Sequence, residues 1–144
     1  MATSITAVKG TSELLVKQYT HDPADATVAT KIAWLAMKGY EWLLASAMLI
    51  SGTGLLTFKI FAATSDAGAG ALEVVAHADP TVADAAGDVV YLEVTAEQCK
   101  EVLAGFTHVS VELDCDTNTD IAAVGYIFGG AHRKYAGLTA DQIA

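Results

Sequence analysis

The feature that most constrains the fold is the apolar stretch from residue 28 to residue 63, which holds both tryptophans and every methionine except the first residue. Gly39 and the loop-forming residues 51–54 divide it into three pieces of about eight to ten residues, a length typical of strands and short for helices. In the last piece, residues 56–63, apolar side chains recur at every second position, as in a strand with one buried face. The stretch therefore predicts three antiparallel strands at the centre of the core.

The rest of the chain contains further segments of strand length, two of which, 88–94 and 108–115, alternate with a two-residue period. They predict strands at 13–19, 71–76, 88–94, 108–115 and 121–128. About eight strands at roughly ten-residue spacing predict a mainly β fold, a two-sheet antiparallel β-sandwich or jelly roll. The expected organisation is an N-terminal arm (1–12), a β-sandwich domain (13–130) and a C-terminal tail (131–144).

One short helix is predicted at 95–105. Thr95 and Gln98 have the spacing of a capping box, and Gly105 suits the left-handed position after a last turn. The side expected to pack on a sheet consists of Cys99, Val102, Leu103 and Phe106. In the strand that follows, 108–115, alternate residues are expected to form one core face and one solvent face.

Composition indicates an assembled protein that does not bind nucleic acid or membranes. With 53% hydrophobic and 17% charged residues, the chain is expected to have apolar surface covered by other subunits. The net charge of −9 repels phosphate backbones, and the basic cluster at 132–134 is too small for a nucleic-acid footprint. Small polar residues interrupt the uncharged segment 42–58, which argues against a membrane span. The start of the sequence lacks the pattern of a secretory signal, which predicts synthesis and retention in a cytoplasm.

The sharpest chemical pattern is an acidic loop at 114–120. Its candidate calcium ligands are Asp114, Asp116, Asn118 and Asp120. The spacing resembles a calcium loop, but Thr119 occupies the position of the required glycine and Gly125 that of the bidentate glutamate. The alternative is a hairpin loop in which Asp and Asn side chains accept hydrogen bonds from their own backbone.

No other pattern indicates an active site. The four histidines are scattered, and the G-x-S-x-G motif of a nucleophile elbow is missing. Gly52 and Gly54, like Gly68 and Gly70, lie where hairpin turns are expected and lack the rest of a phosphate-binding fingerprint. Two cysteines without metal-ligand spacing are expected to be buried thiols. We therefore expect no catalytic residues, no cofactor and no enzymatic activity.

The order of several segments resembles small structural proteins of tailed bacteriophages. The resemblance covers residues 24–137. It is carried by ATVATKIAWL (26–35), Tyr40, TFKI (57–60) followed by a glycine loop, VYLEV (90–94), and the glycine-containing strand and aromatic tail of 126–135. It implies a virion protein, a capsid decoration or cement protein that binds the outer surface of the major capsid protein lattice.

That resemblance also implies a homo-oligomer, a trimer by analogy, made in the host cytoplasm and located on the capsid surface. Contacts with the capsid are expected from both termini, namely Thr3, Ile5, Val8, Arg133, Lys134 and Tyr135. Two alternatives remain open: a phage tail or head-fibre component for host contact, and a cellular β-sandwich module that binds a sugar or small ligand. An exposed tryptophan platform would favour the alternatives, but Trp34 and Trp42 are expected in core strands.

Overall fold

The computed structural model describes residues 15–21 and 30–31 by their backbone, and residues 34–117 and 120–130 with their side chains. The strands are β1 (Leu15–His21), β2 (Thr30–Lys31), β3 (Leu35–Ala36), β4 (Trp42–Ser51), β5 (Leu55–Ala63), β6 (Leu72–Ala76), β7 (Val89–Thr95), β8 (His108–Cys115) and β9 (Ile121–Gly129). One α-helix, α1 (Ala96–Val102), and a short 3-10 helix (Pro80–Val82) complete the described elements. The mainly β prediction is confirmed.

The strands form two antiparallel sheets with the order of a jelly roll. The four-stranded sheet has the order β1-β9-β4-β7, and the five-stranded sheet has the order β2-β8-β5-β6 with β3 also paired to β8. If β2 and β3 are counted as one interrupted strand, eight strands alternate between the sheets at every connection except the β5–β6 hairpin. The predicted sandwich is therefore a jelly roll with its core between the two sheets.

The loop at 51–54 differs from its prediction as a hairpin turn. β4 and β5 lie in opposite sheets, so this loop crosses the sandwich. Its Gly52 and Gly54 both have positive φ, and a Cβ on Gly52 would lie 2.1 Å from a carboxylate oxygen of Asp120. The hairpin interpretation failed because glycines signal a sharp change of direction without indicating which strand pairs next. The second predicted hairpin, at 68–70, is confirmed by the pairing of β5 with β6.

The first of the three predicted central strands is interrupted. β2 pairs with Leu113 and Glu112, whereas β3 pairs with Val109 and His108, a register that differs by one residue. Between these pairs, the backbone N–H of Val111 donates a 3.0 Å hydrogen bond to the buried hydroxyl of Tyr126. A side chain from the opposite sheet thus satisfies a backbone donor at the level of the interruption.

Helix α1 begins as predicted and ends earlier. Thr95 is the N-cap, and its side chain and that of Gln98 form the reciprocal capping box. The helix ends at Val102, and its C-cap, Leu103, is extended, so Gly105 is not the left-handed cap that was predicted. Cys99 is buried and Leu103 and Phe106 pack against the core, but Val102 is exposed. Because the helix has only seven residues, its inward face is one turn shorter than the periodicity suggested.

Strands β7 and β8 bury the residues that alternation assigns to the core. Val90, Leu92 and Val94 are buried while their neighbours on β7 are exposed. On β8 the predicted solvent face is only partly wet, because Ser110 is fully buried and the other outward residues are half-buried. In the described part of the chain, no helix has the length and apolar character needed to cross a membrane.

Candidate functional site

The outer face of the four-stranded sheet is apolar although it does not face the core. On β4, Leu43, Ala45, Ala47 and Leu49 are fully buried, so the intervening residues point away from the core. The outward residues that define this apolar face are Trp42, Leu44, Met48, Ile50, Val89, Tyr91 and Ile127. Tyr91 is 59% exposed and Ile50 is 43% exposed. A contiguous exposed apolar surface of this kind is typical of an interaction site.

The apolar face has a ridge beside a trough. In one row across the sheet, Tyr91 on β7 pairs with Ser46 on β4, which pairs with Gly125 on β9. A large exposed ring therefore stands next to a hydroxyl and a position without a side chain. The rows on either side carry larger residues, Val89 and Met48 in one and Leu44 and Ile127 in the other. The trough is thus closed at both ends along β4.

Trp42 shapes one end of the apolar face by lying over Gly129. A Cβ on Gly129 would lie 2.0 Å from Cζ2 of Trp42, so a residue with a side chain does not fit there. Trp42 is half-buried, which differs from the core position predicted for it. Trp34 is also half-buried and lies between β2 and β3, where its indole contacts Gly68 of the β5–β6 hairpin.

The outer face of the five-stranded sheet has a different chemistry. The outward residues that define this polar face are Thr57, Lys59, Phe61, Glu73, His108, Ser110, Glu112 and Asp114. Lys59 and Glu73 form an ion pair of 2.9 Å, and the hydrogen bond and charge of Glu73 raise the pKa of Lys59. Charged residues lie on this face, although Ser110 is fully buried and Glu112 and Asp114 are half-buried.

The predicted calcium loop is held by hydrogen bonds around Asp120. This buried carboxylate accepts the N–H groups of Thr53 (3.2 Å) and Thr117 (3.3 Å) and a short hydrogen bond from the Thr117 hydroxyl. Burial raises the pKa of Asp120, but hydrogen bonds from Thr117 and Thr53 lower it by more, so its pKa lies below the ordinary value. Asp120 therefore joins the crossing loop 51–54 to the β8–β9 loop.

The structure describes two of the other three calcium candidates. Asp114 is half-buried at the end of β8, and Asp116 is exposed and accepts a 3.0 Å hydrogen bond from the Thr53 hydroxyl. Asn118 lies outside the described residues. Among the residues that the structure describes, no group of three His, Cys, Asp or Glu side chains could hold a metal ion. Calcium binding stays a prediction, while the hydrogen bonds of Asp120 match the alternative, backbone-capping role.

Both cysteines are buried free thiols, as expected. Burial raises the pKa of Cys99 to about 11. Burial, together with the charges of Asp120 and Asp114, raises the pKa of Cys115 to about 11 as well. Neither thiol is therefore activated as a nucleophile at neutral pH, because the thiolate is the reactive form.

Two open clefts lie beside α1 at one end of the sandwich. One has a volume of about 400 Å³ and is lined in part by Met37, Tyr40 and Phe106. The other has a volume of about 450 Å³ and combines Trp42 with Glu93 and further polar side chains. The second cleft adjoins the apolar face through Trp42, which lines both.

The structure does not place the predicted capsid contacts. Thr3, Ile5 and Val8 in the N-terminal arm, and Arg133, Lys134 and Tyr135 in the tail, lie outside the described residues. The structure does show that Leu15 and Phe128 are partners in the β1–β9 register. The segments before residue 15 and after residue 130 therefore start at the same end of the four-stranded sheet.

Sequence reasoning missed the apolar face because it assigned the whole segment around β4 to the core. The available signal was the segment WLLASAMLIS, in which both alternating sets of side chains lack charge. Such a strand is covered on both faces in parallel sheets. In an antiparallel sandwich, such a strand has an apolar outer side in addition to its core side.

No protein-family model and no curated protein sequence matches the chain. Among solved structures, the chain is similar to a chain from the disulfide-linked pili of Bacillus endospore appendages, with 14% identity, a TM-score of 0.37, and coverage of 81% of this chain and 88% of that chain. It is similar to SPBc2 prophage-derived protein YomS, with 13% identity, a TM-score of 0.43, and coverage of 81% and 95%. It is also similar to PRD1 vertex protein P5, with 12% identity, a TM-score of 0.44, and coverage of 83% of this chain and 98% of that chain. Likenesses this weak support no conclusion about what the chain does.

Proposed function

We propose that this chain is a structural protein of a virion, a decoration protein that binds the outer surface of the major capsid protein lattice and stabilises the head. The apolar face carries the proposal, because a surface with Tyr91, Met48 and Ile50 exposed suits a subunit of an assembly better than a lone monomer. The sequence resemblance to phage structural proteins supplies the virion context. The net charge of −9 favours a protein partner over the packaged DNA.

The capsid contacts belong to the two termini in this proposal. The pairing of Leu15 with Phe128 supports it, since both terminal segments start at one end of the sheet and can reach the same part of a lattice. The tail carries the basic residues Arg133 and Lys134, with Tyr135 beside them. Arginine and tyrosine are enriched in protein interfaces.

Imaging of purified particles that carry this gene tests the proposal. Hundreds of copies of the chain on the capsid shell are expected, and the isolated protein is expected to bind preformed capsids that lack it. A test variant in which Arg133 and Lys134 are both changed to Ser should bind the capsids more weakly, because the proposal places these residues in the contact. Normal assembly and stability of particles without the gene, combined with no capsid binding, would overturn the proposal.

A second candidate function is supported by the cleft that Trp42 lines. A half-buried indole beside Glu93 and Glu97 combines an apolar surface with hydrogen-bond acceptors, as sites for sugars do. This would suit host contact by a tail or head-fibre component, or a cellular ligand-binding module. Titration with a panel of mono- and oligosaccharides, followed by tryptophan fluorescence, tests it; a flat response to all of them would remove this candidate.

A further inference from the structure

We propose that the apolar face is the interface between two copies of this chain, which pack face to face about a twofold axis near Ser46. The inference rests on the proposed assembly role and names the partner of the surface that carries it. The evidence lies in the area of this face, in its shape and in its lack of charge.

The area of the face is sufficient for a small specific interface. β7 has seven residues and β4 has ten, so the strands extend about 23 to 33 Å at roughly 3.3 Å per residue, and four strands about 4.8 Å apart span about 19 Å. The flat footprint is on the order of 500 Å². This is less than the roughly 800 Å² that a standard interface buries on each partner, and it falls in the range of small, weaker interfaces.

The shape of the face is complementary to itself. Tyr91, 59% exposed, is a ridge, and Ser46 with Gly125 forms the trough beside it in the same row. A twofold axis passing near Ser46 brings the ring of each copy over the trough of the other, so one geometry makes both contacts. The larger rows around Leu44 and Met48 then enclose each ring.

The distribution of charge favours a second copy over a nucleic acid or a charged protein. Among the described outward residues of β4, β7 and β9, Glu93 is the one charged side chain. It lies on the edge strand β7 in the row next to Tyr91, paired with Leu44, so each copy has one carboxylate at the border of the proposed contact. The net charge of −9 therefore resides almost entirely elsewhere, and two like-charged copies meet through their least charged surface.

Sedimentation velocity of the full chain from about 1 to 100 μM tests the inference, with the expectation of a dimer. Replacing Tyr91 with Lys removes the ridge and adds charge, and we expect the dissociation constant to rise at least about 30-fold, the loss typical of a central aromatic residue. Leu72→Lys is the matched control, because Leu72 is 46% exposed on β6 of the opposite sheet. It should leave the dimer unchanged.

Ser46→Leu distinguishes specific packing of the two faces from nonspecific hydrophobic association. The leucine makes the face more apolar but fills the trough, so we expect association to weaken by about 10-fold or more while the monomer stays folded. Both variants change outward residues, and circular dichroism verifies their fold. A trimer, a monomer at 100 μM, or association that Ser46→Leu strengthens or that Tyr91→Lys leaves intact would overturn the inference.

Capsid binding separates this inference from the proposed function. A monomer that binds preformed capsids would overturn the dimer and support the decoration role. A dimer that is absent from particles and binds no capsid would support the interface and overturn the role in a virion.

Discussion

The two outer faces of the sandwich are built on sheets of similar size and carry opposite chemistry. Outward positions of β4 and β7 hold Met48, Ile50 and Tyr91, whereas outward positions of β5 and β8 hold Lys59 and Glu112. Both sheets present equally apolar inner faces to one core. The difference therefore concerns the outer faces alone, and an exposed apolar face of this kind is typical of an interaction surface.

The largest expected loss of stability comes from a substitution at Gly129, which lies beneath Trp42 at one end of the apolar face. In Gly129→Val, the new side chain would collide with the ring of Trp42, since even a Cβ would lie 2.0 Å from it. We expect a loss of about 3 kcal/mol in the free energy of unfolding, at the upper end of overpacking costs. Chemical denaturation measures this loss.

Gly125→Ala is the control for that substitution. The nearest atom to its new Cβ is the Ser46 hydroxyl at 2.9 Å, which can rotate away, so stability should fall by less than about 1 kcal/mol. Equal losses in the two variants would mean that Trp42 is not fixed over Gly129.

The second effect concerns Asp120, which supports both faces because it holds the loop that crosses from one sheet to the other. Asp120→Ala removes the buried carboxylate that accepts the part-buried N–H groups of Thr53 and Thr117, and we expect a loss of about 2 kcal/mol. The change should lower the melting temperature without altering the dimer fraction of the folded protein. A selective loss of dimer at unchanged stability would contradict this role.

The stabilisation by Asp120 should depend on pH in a defined direction. Its folded pKa lies below the ordinary value, so the contribution is present above the unfolded pKa of about 3.9 and is lost as pH falls through the folded pKa. The stability difference between the wild type and Asp120→Asn should therefore be constant from about pH 5 to 7 and shrink below pH 4. A difference that grows in acid would contradict the assignment.

Tyr126→Phe should lower the stability of the whole sandwich by a smaller amount, because Tyr126 links the two sheets. It removes the hydroxyl that accepts the Val111 N–H across the core, and we expect a loss of about 1 kcal/mol. Hydrogen exchange of the Val111 amide should accelerate more than that of core amides on β4. Unchanged protection at Val111 would show that the hydrogen bond has a substitute.

The smallest effect should follow from changing the polar face. Glu73→Gln removes the ion pair with Lys59, whose two side chains are 31% and 43% exposed, and exposed pairs contribute little. We expect no measurable change in melting temperature or in the dimer fraction. Loss of the dimer in this variant would mean that the polar face also takes part in association, which would remove the contrast between the faces.

The sequence predicted local structure correctly where a residue pattern is compatible with a single local conformation. The alternation of β7 identified Val90, Leu92 and Val94 as buried, and the Thr95–Gln98 pair located the start of the helix. These features depend on neighbours along the chain. The predicted sandwich also followed, because strand number and spacing limit the ways in which apolar faces can be covered.

Features that involve contacts between residues far apart in the chain were not predicted from the sequence. The crossing at 51–54 looks like a hairpin because Asp120, which holds it in place, lies far along the chain. At the level of the interruption between β2 and β3, the N–H of Val111 donates to the hydroxyl of Tyr126 in the other sheet. The apolar face was hidden because a strand that is apolar on both sides gives no alternation to measure.

The position of β9 has a consequence for synthesis. It lies between β1 and β4 although β1 ends at residue 21 and β9 begins at residue 121. A ribosome that has added residue 120 has therefore made two strands whose facing edges have no partner, and unpaired edges recruit other chains. The nascent protein stays vulnerable to aggregation until β9 emerges, so a premature stop codon before residue 121 should yield insoluble chains rather than a smaller folded domain.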